Sequence, residues 1–136
     1  MAYQVGQSAS FSKTISETDV YGFAGITGDF NPLHVNARVA PTGQFGERIA
    51  HGMLSASFIS TVIATSLPGP GTIYMSQEVK FLKPVKFGDT ITATVVIKEL
   101  LERGKVRLHT FVKNQDSELV VNGFALVKLP QAEVGK

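Results

Sequence analysis

Cysteine and tryptophan are both missing from this 136-residue chain, and charge is sparse at 18% of residues. Without cysteine there can be no disulfide and no thiolate zinc site. Thirteen Lys and Arg against eleven Asp and Glu leave a formal net charge of +2. So small and scattered an excess argues against nucleic acid, which calls for a clustered basic stripe, while an anionic small ligand stays open. A membrane-length run is also lacking. The longest apolar stretch, residues 53–67, is shorter than a span and holds six hydroxyl residues (Ser55, Ser57, Ser60, Thr61, Thr65, Ser66). The opening Met1-Ala2-Tyr3-Gln4-Val5-Gly6 has neither a charged nor an apolar targeting region, so a soluble cytoplasmic protein is expected. What remains is 43% hydrophobic and 9% aromatic, which suits a globular protein. Residues 1–136 are expected to form a single domain around one core.

Neither an internal repeat nor a low-complexity linker is visible. Residues 8–14 have weak strand character. Ser16-Glu17-Thr18-Asp19 reads as a capping box, and Val20, Phe23, Ala24 and Thr27 follow at helical spacing. The predicted helix ends near Thr27, with Gly28 as its stop. Asn31-Pro32 argues against further helix, because the residue before proline is pushed out of the α region. Residues 29–50 contain Pro32, Pro41, Gly43 and Gly46 and read as a long excursion with at most a helical turn near Ala37. Such excursions are functional or disordered. Apolar Leu33, Val35, Val39, Phe45 and Ile49 favour order.

In residues 51–67, Met53, Leu54, Ala56, Phe58, Ile59, Val62, Ile63 and Leu67 cover nearly the whole helical circumference, which predicts a buried helix. Pro68-Gly69-Pro70-Gly71 ends it. Beyond it, Ile73, Met75, Gln77, Val79 and Phe81 alternate with Tyr74, Ser76, Glu78 and Lys80, and residues 91–97, 106–112 and 119–127 repeat the period of two. Turn residues separate these runs. An antiparallel sheet around one buried helix is an α+β arrangement with the outline of a hot-dog fold.

Chemistry concentrates in Gly28-Asp29-Phe30-Asn31-Pro32-Leu33-His34, where a carboxylate, an amide and an imidazole share one turn. Such a cluster can hold and polarise a water molecule. Ile49-Ala50-His51-Gly52-Met53-Leu54 then opens the apolar helix, where unpaired N–H groups and the positive dipole end can stabilise a developing oxyanion. Plainer readings compete. Asp29 can cap a turn, His34 can be structural, Asn31 can close an Asx-turn before Pro32, and His51 and Gly52 can form an ordinary helix start. His109 reads as a cross-strand or surface residue.

The seven-residue string resembles the signature of the MaoC-like, (R)-specific enoyl-CoA hydratases. Ala50-His51-Gly52-Met53 resembles their second landmark, at the mouth of the central helix. The similarity continues through Gly71-Thr72-Ile73-Tyr74, Phe81-Leu82-Lys83-Pro84-Val85, Gly88-Asp89 and Val127-Lys128-Leu129-Pro130. It departs at Arg38-Val39-Ala40-Pro41-Thr42-Gly43, where relatives often have a helical turn. The resemblance implies a hot-dog fold, with about five antiparallel strands wrapped around a long central helix and an overhang segment before that helix.

It further implies addition of water to trans-2-enoyl-CoA, giving (R)-3-hydroxyacyl-CoA. Asp29 and His34 would be the catalytic pair, Asp29 as principal base and His34 as water-positioning partner and proton donor. Asn31 would support the site, the Gly52 amide would be an oxyanion donor, and Ser55 would be a partner behind them. No cofactor is expected, coenzyme A being part of the substrate. No metal is expected either: Asp29, His34 and His51 suit zinc or iron as ligand types, but hydration needs no metal and no His-x-x-x-His spacing occurs. A homodimer joined sheet to sheet, with two sites at the interface, is implied, because open strand edges tend to associate. Nucleic-acid and membrane partners are not expected. Arg38, Arg48, Lys80, Lys83 and Lys86 are candidates for coenzyme A phosphates or are plain surface charge, and pocket depth is expected to depend on Leu54, Phe58, Ile63 and Tyr74. A dehydratase acting on acyl-carrier-protein substrates is the same chemistry reversed. A hot-dog thioesterase fits less well, since residues 51–67 contain no Asp or Glu. A non-catalytic acyl-binding module would have no need of Asp29.

Overall fold

A computed structural model describes residues 2–131. The elements run β1 (Ser8–Thr14), α1 (Glu17–Thr27), α2 (Pro32–Val35), a 3-10 turn (Ala40–Thr42), α3 (Gly52–Thr65), β2 (Ile73–Phe81), β3 (Thr90–Leu100), a second 3-10 turn (Glu102–Gly104), β4 (Lys105–Lys113) and β5 (Leu119–Lys128). The strands form one antiparallel sheet in the order β1-β3-β4-β5-β2. Period-two patterning turns Ile91, Ala93, Val95 and Ile97 of β3, with Val106, Leu108 and Val112 of β4, into one buried layer. Helix α3 lies on that layer through Leu54, Ile59, Val62 and Ile63. This is the hot-dog arrangement, and α3 is its central helix. Among the described residues no helix is long and apolar enough to cross a membrane.

Three expectations give way. Helix α2 exists although Asn31-Pro32 argued against it. Asn31 does avoid the α region, at φ −52° and ψ 127°, but Pro32 then starts the helix, where a missing N–H costs nothing. The helical turn anticipated near Ala37 is present, closed by the Ala40 N–H on Asn36 O at 3.0 Å, and the 3-10 turn at Ala40–Thr42 follows it. Helix α3 is not buried all round: Met53 is 58% exposed, and Ser57, Ser60 and Ala64 also face outward. The small side chains made the outward face look apolar, but it is uncovered. In β2 a bulge between Tyr74 and Ser76 resets the alternation. Phe81, Val79 and Gln77 pair with Val121, Gly123 and Ala125, and then Tyr74, not Met75, pairs with Val127. Directly opposed residues share a face, so Tyr74 joins the inner side.

Candidate active site

The site begins with the way α1 is closed. Ser16 and Asp19 form the capping box reciprocally, at 3.1 and 2.9 Å, and Lys13 Nζ lies 2.7 Å from Asp19. The Lys13 hydrogen bond, helped by the Ser16 amide, holds the Asp19 carboxyl below its usual 3.8. At the other end Gly28 adopts φ 82°, a left-handed conformation that glycine reaches without strain, and its N–H donates to Ala24 O. That reversal delivers Asp29 to the start of the excursion.

Short polar side chains then shape the loop. The Asp29 N–H donates to Thr27 Oγ1 at 3.2 Å, and Asp29 Oδ1 accepts the Asn31 N–H at 3.2 Å. Asn31 Oδ1 in turn accepts the Leu33 N–H at 3.1 Å and caps α2. The Asx-turn is thus the role in which Asn31 is found, and its side chain is outside the cavity wall. Helix α2 presents His34, which is 8% exposed, with Nδ1 2.8 Å from Ile49 O. A carbonyl can only accept, so neutral His34 carries its hydrogen on Nδ1 and keeps Nε2 as an acceptor. This tautomer does not fit the proton-donor role expected for His34.

His51, the N-cap residue of α3, is 2% exposed. By the same argument its Nε2–H donates to the backbone carbonyl of Asp29 at 3.0 Å. Its ring stacks on that of His34 at 3.9 Å and 27°, with Phe23 tilted against it at 4.9 Å. Nothing in the residues next to His51 marks it for a part in the site. A histidine at the mouth of an apolar helix was the available signal, but its partners lie far away in sequence.

His51 supplies no side-chain cap, so the first amides of α3 have no intrahelical acceptor and are open to a ligand oxygen. Gly52 is the tight point. A Cβ there would stand 2.7 and 2.8 Å from two ring atoms of Phe81, so the missing side chain lets that ring close over the helix mouth. Asp29, His34, His51, Gly52, Ser55 and Phe81 all line one cavity of about 520 Å³, a size that suits a small-molecule ligand. Ser55 is 1% exposed. Its Oγ and His51 Nδ1 are both buried without a hydrogen-bond partner, at a cost of about 1–3 kcal/mol each.

The residues expected to set pocket depth are not in this wall. Leu54 and Ile63 enter the core, Phe58 stacks on Phe11 at 6.0 Å, and the Tyr74 hydroxyl donates to Gln77. Phe45, Met53, Phe81 and Leu82 contribute apolar surface instead. Of the basic candidates, Arg48 binds Glu17 at 2.6 Å, Lys83 binds Glu118 at 2.6 Å and Lys86 binds Glu47 at 3.2 Å, while Arg38 and Lys80 are exposed. Lys83 alone of these reaches the cavity. His109 is remote from it and pairs across strands with Asn122 at 2.7 Å.

Donor atoms of Asp29, His34 and His51 lie within 4.8 Å of one another. Proximity is not chelation here. Imidazole lone pairs lie in the ring plane, and two nearly parallel stacked rings cannot both aim at one ion. One nitrogen of each ring is also committed to a backbone carbonyl.

Residues 2–119 match the model of the MaoC like domain. The chain belongs to the MaoC-like family. Among its relatives is the (R)-specific enoyl-CoA hydratase of Rhodospirillum rubrum, 51% identical over 92% of this chain and 87% of that protein. The 3-hydroxybutyryl-CoA dehydratase of Methylorubrum extorquens is 46% identical over 96% of this chain and 83% of its own length. In three dimensions, this MaoC-like chain resembles an unliganded R-hydratase from Pseudomonas aeruginosa with a TM-score of 0.92 and 47% identity, covering 95% of this chain and 83% of that one.

Proposed function

We propose that this MaoC-like chain is an (R)-specific enoyl-CoA hydratase that reversibly adds water to trans-2-enoyl-CoA to give (R)-3-hydroxyacyl-CoA. The observation that carries the reading is the convergence of the Asp29 carboxylate, the acceptor Nε2 of His34 and the uncapped start of α3 on one cavity. A water donating one hydrogen to Asp29 and the other to His34 Nε2 has its lone pair free for C3. Asp29 removes a proton as the C3–O bond forms. Electron density moves through C2 to the thioester oxygen, which the Gly52 N–H stabilises. His34 Nε2 has no proton to give, so the proton that reaches C2 is the one taken from the water. Acid–base help of this kind is worth about 10²–10⁴-fold. Ser55 backs the Gly52 turn and Asn31 supports the loop. The steps are proton transfers and charge stabilisation, for which coenzyme A within the substrate suffices and no further cofactor is invoked.

The same reading makes the protein a cytoplasmic homodimer. Support comes from β2, an edge strand with Ile73, Met75 and Phe81 exposed, and from the uncovered face of α3 that carries Met53. Sedimentation equilibrium tests the dimer. For the activity, crotonyl-CoA is incubated with the protein, loss of enoyl absorbance is followed, and the product's configuration is determined. An (R)-3-hydroxy product that vanishes in Asp29→Asn is expected. Release of free coenzyme A without hydration would instead identify a thioesterase, and parallel assays on acyl-carrier-protein thioesters decide the carrier.

A further inference from the structure

His51 is almost completely buried beside the proposed catalytic pair, yet the hydration chemistry assigns it no proton and no substrate atom. Its three engagements explain why an imidazole is there. The Nε2–H ties down the Asp29 carbonyl across 22 residues of sequence. By contrast, the bonds that the Asp29 amide and carboxylate make, to Thr27 and Asn31, are local and would travel with the loop. One face of the ring lies against His34, whose edge is already fixed by Ile49 O, so the stack sets the remaining freedom of that ring. Phe23 of α1 leans on the same imidazole. Its other nitrogen, Nδ1, is buried without a partner. A side chain selected to satisfy its own polar atoms would not leave that nitrogen bare. One selected for a single donor and a flat face would.

Building on the hydratase reading, we infer that His51 is the positioning residue of the site: one neutral imidazole, protonated on Nε2, registers both the Asp29 loop and the His34 ring against the start of α3. The arrangement requires the two stacked histidines to carry opposite tautomers, Nδ1–H on His34 and Nε2–H on His51. It also requires both a donor and a flat ring at position 51. Misplacing a reacting group by an ångström costs about 100-fold in rate, and it does so without weakening substrate binding in proportion.

The test combines ring-nitrogen NMR of the wild-type protein with the kinetics and melting of two variants. Two-bond ¹⁵N correlations should show the opposite tautomers. His51→Phe keeps a flat ring but has no donor, so its kcat for crotonyl-CoA should fall by about 100-fold with KM little changed. His51→Gln, whose terminal amide can donate to the Asp29 carbonyl, should recover part of that loss. Identical tautomers on the two rings would overturn the inference, as would wild-type kcat in a folded His51→Phe. If His51→Phe melts out, the tautomers and the His51→Gln kcat still decide, and wild-type kcat in His51→Gln combined with identical tautomers rejects the role. Failure of the wild-type protein to hydrate crotonyl-CoA would count against the hydratase reading, and the tautomers would then decide for His51 alone.

Discussion

Residues 28–52 and the β3-β4-β5 sheet are ordered by opposite means. In the sheet, buried Val, Ile, Leu and Ala alternate along paired strands, and order follows from apolar burial plus the backbone ladder. In residues 28–52, order rests on short polar side chains turned onto the backbone. Asp29 and Asn31 close successive turns, Asn36 Oδ1 accepts from the amides of Arg38 and Val39, and His34 and His51 each bind a distant carbonyl. Each such bond nets only about 0.5–1.5 kcal/mol. A segment held this way does not need to bury its functional atoms in order to fold. It can therefore leave the Asp29 carboxylate exposed at the cavity while its main chain stays tied, whereas the buried face of the sheet admits almost nothing polar.

The comparison breaks most sharply if chemistry and stability prove inseparable. Asp29→Asn should lower hydration by about 10²–10⁴-fold in the enoyl-absorbance assay. Its melting temperature should hardly move, because the Asn oxygen can still accept the Asn31 N–H. Leu108→Ala is the mirror image. It removes a fully buried side chain from β4 and should cost about 2–5 kcal/mol in denaturant unfolding, with turnover per folded molecule retained.

Gly52→Ala sits where the two regimes meet. Its Cβ must displace Phe81, and that ring is 51% exposed, so it can swing aside. The overpacking penalty of about 1–3 kcal/mol should therefore appear as reduced kcat/KM more than as lost stability, and Phe81→Ala in the same chain should relieve it. Ser16→Ala tests polar ordering outside the site and should cost about 1 kcal/mol in chemical denaturation. The smallest effect concerns Lys13 and Asp19. The folded-state pKa of Asp19 lies below 3.8, so the pair contributes fully above that pH and less as pH falls through the folded value. The stability gap between wild type and Lys13→Met should accordingly close as the solution is acidified below 3.8.

Local grammar carried much of the fold into the sequence. Ser16, Asp19 and Gly28 mark the two ends of α1 through bonds made within a few residues, and the period of two in β3, β4 and β5 reports a buried face whatever lies over it. Pro32 misled because its ring restricts the residue before it and not those after it. The β2 bulge was invisible because an extra residue leaves no compositional trace, and its effect was to exchange Tyr74 for Met75 on the inner face. The uncovered side of α3 was hidden by Ala and Ser, which fit both buried and exposed surfaces.

By itself the sequence determined the strands, the limits of α1, the fold class and the identities of the chemical groups gathered at positions 29–34, because each is written in spacing or in motif. Only tertiary structure decided the state of those groups. Ile49 O sets the His34 tautomer, Phe81 explains why position 52 has no side chain, and three acids occupy Arg48, Lys83 and Lys86. Tertiary structure also placed His51 between Asp29 and His34. The physical reason is range: capping and alternation act between neighbours in the chain, whereas a ring's protonation, its stacking and a cavity wall depend on atoms that only folding brings together.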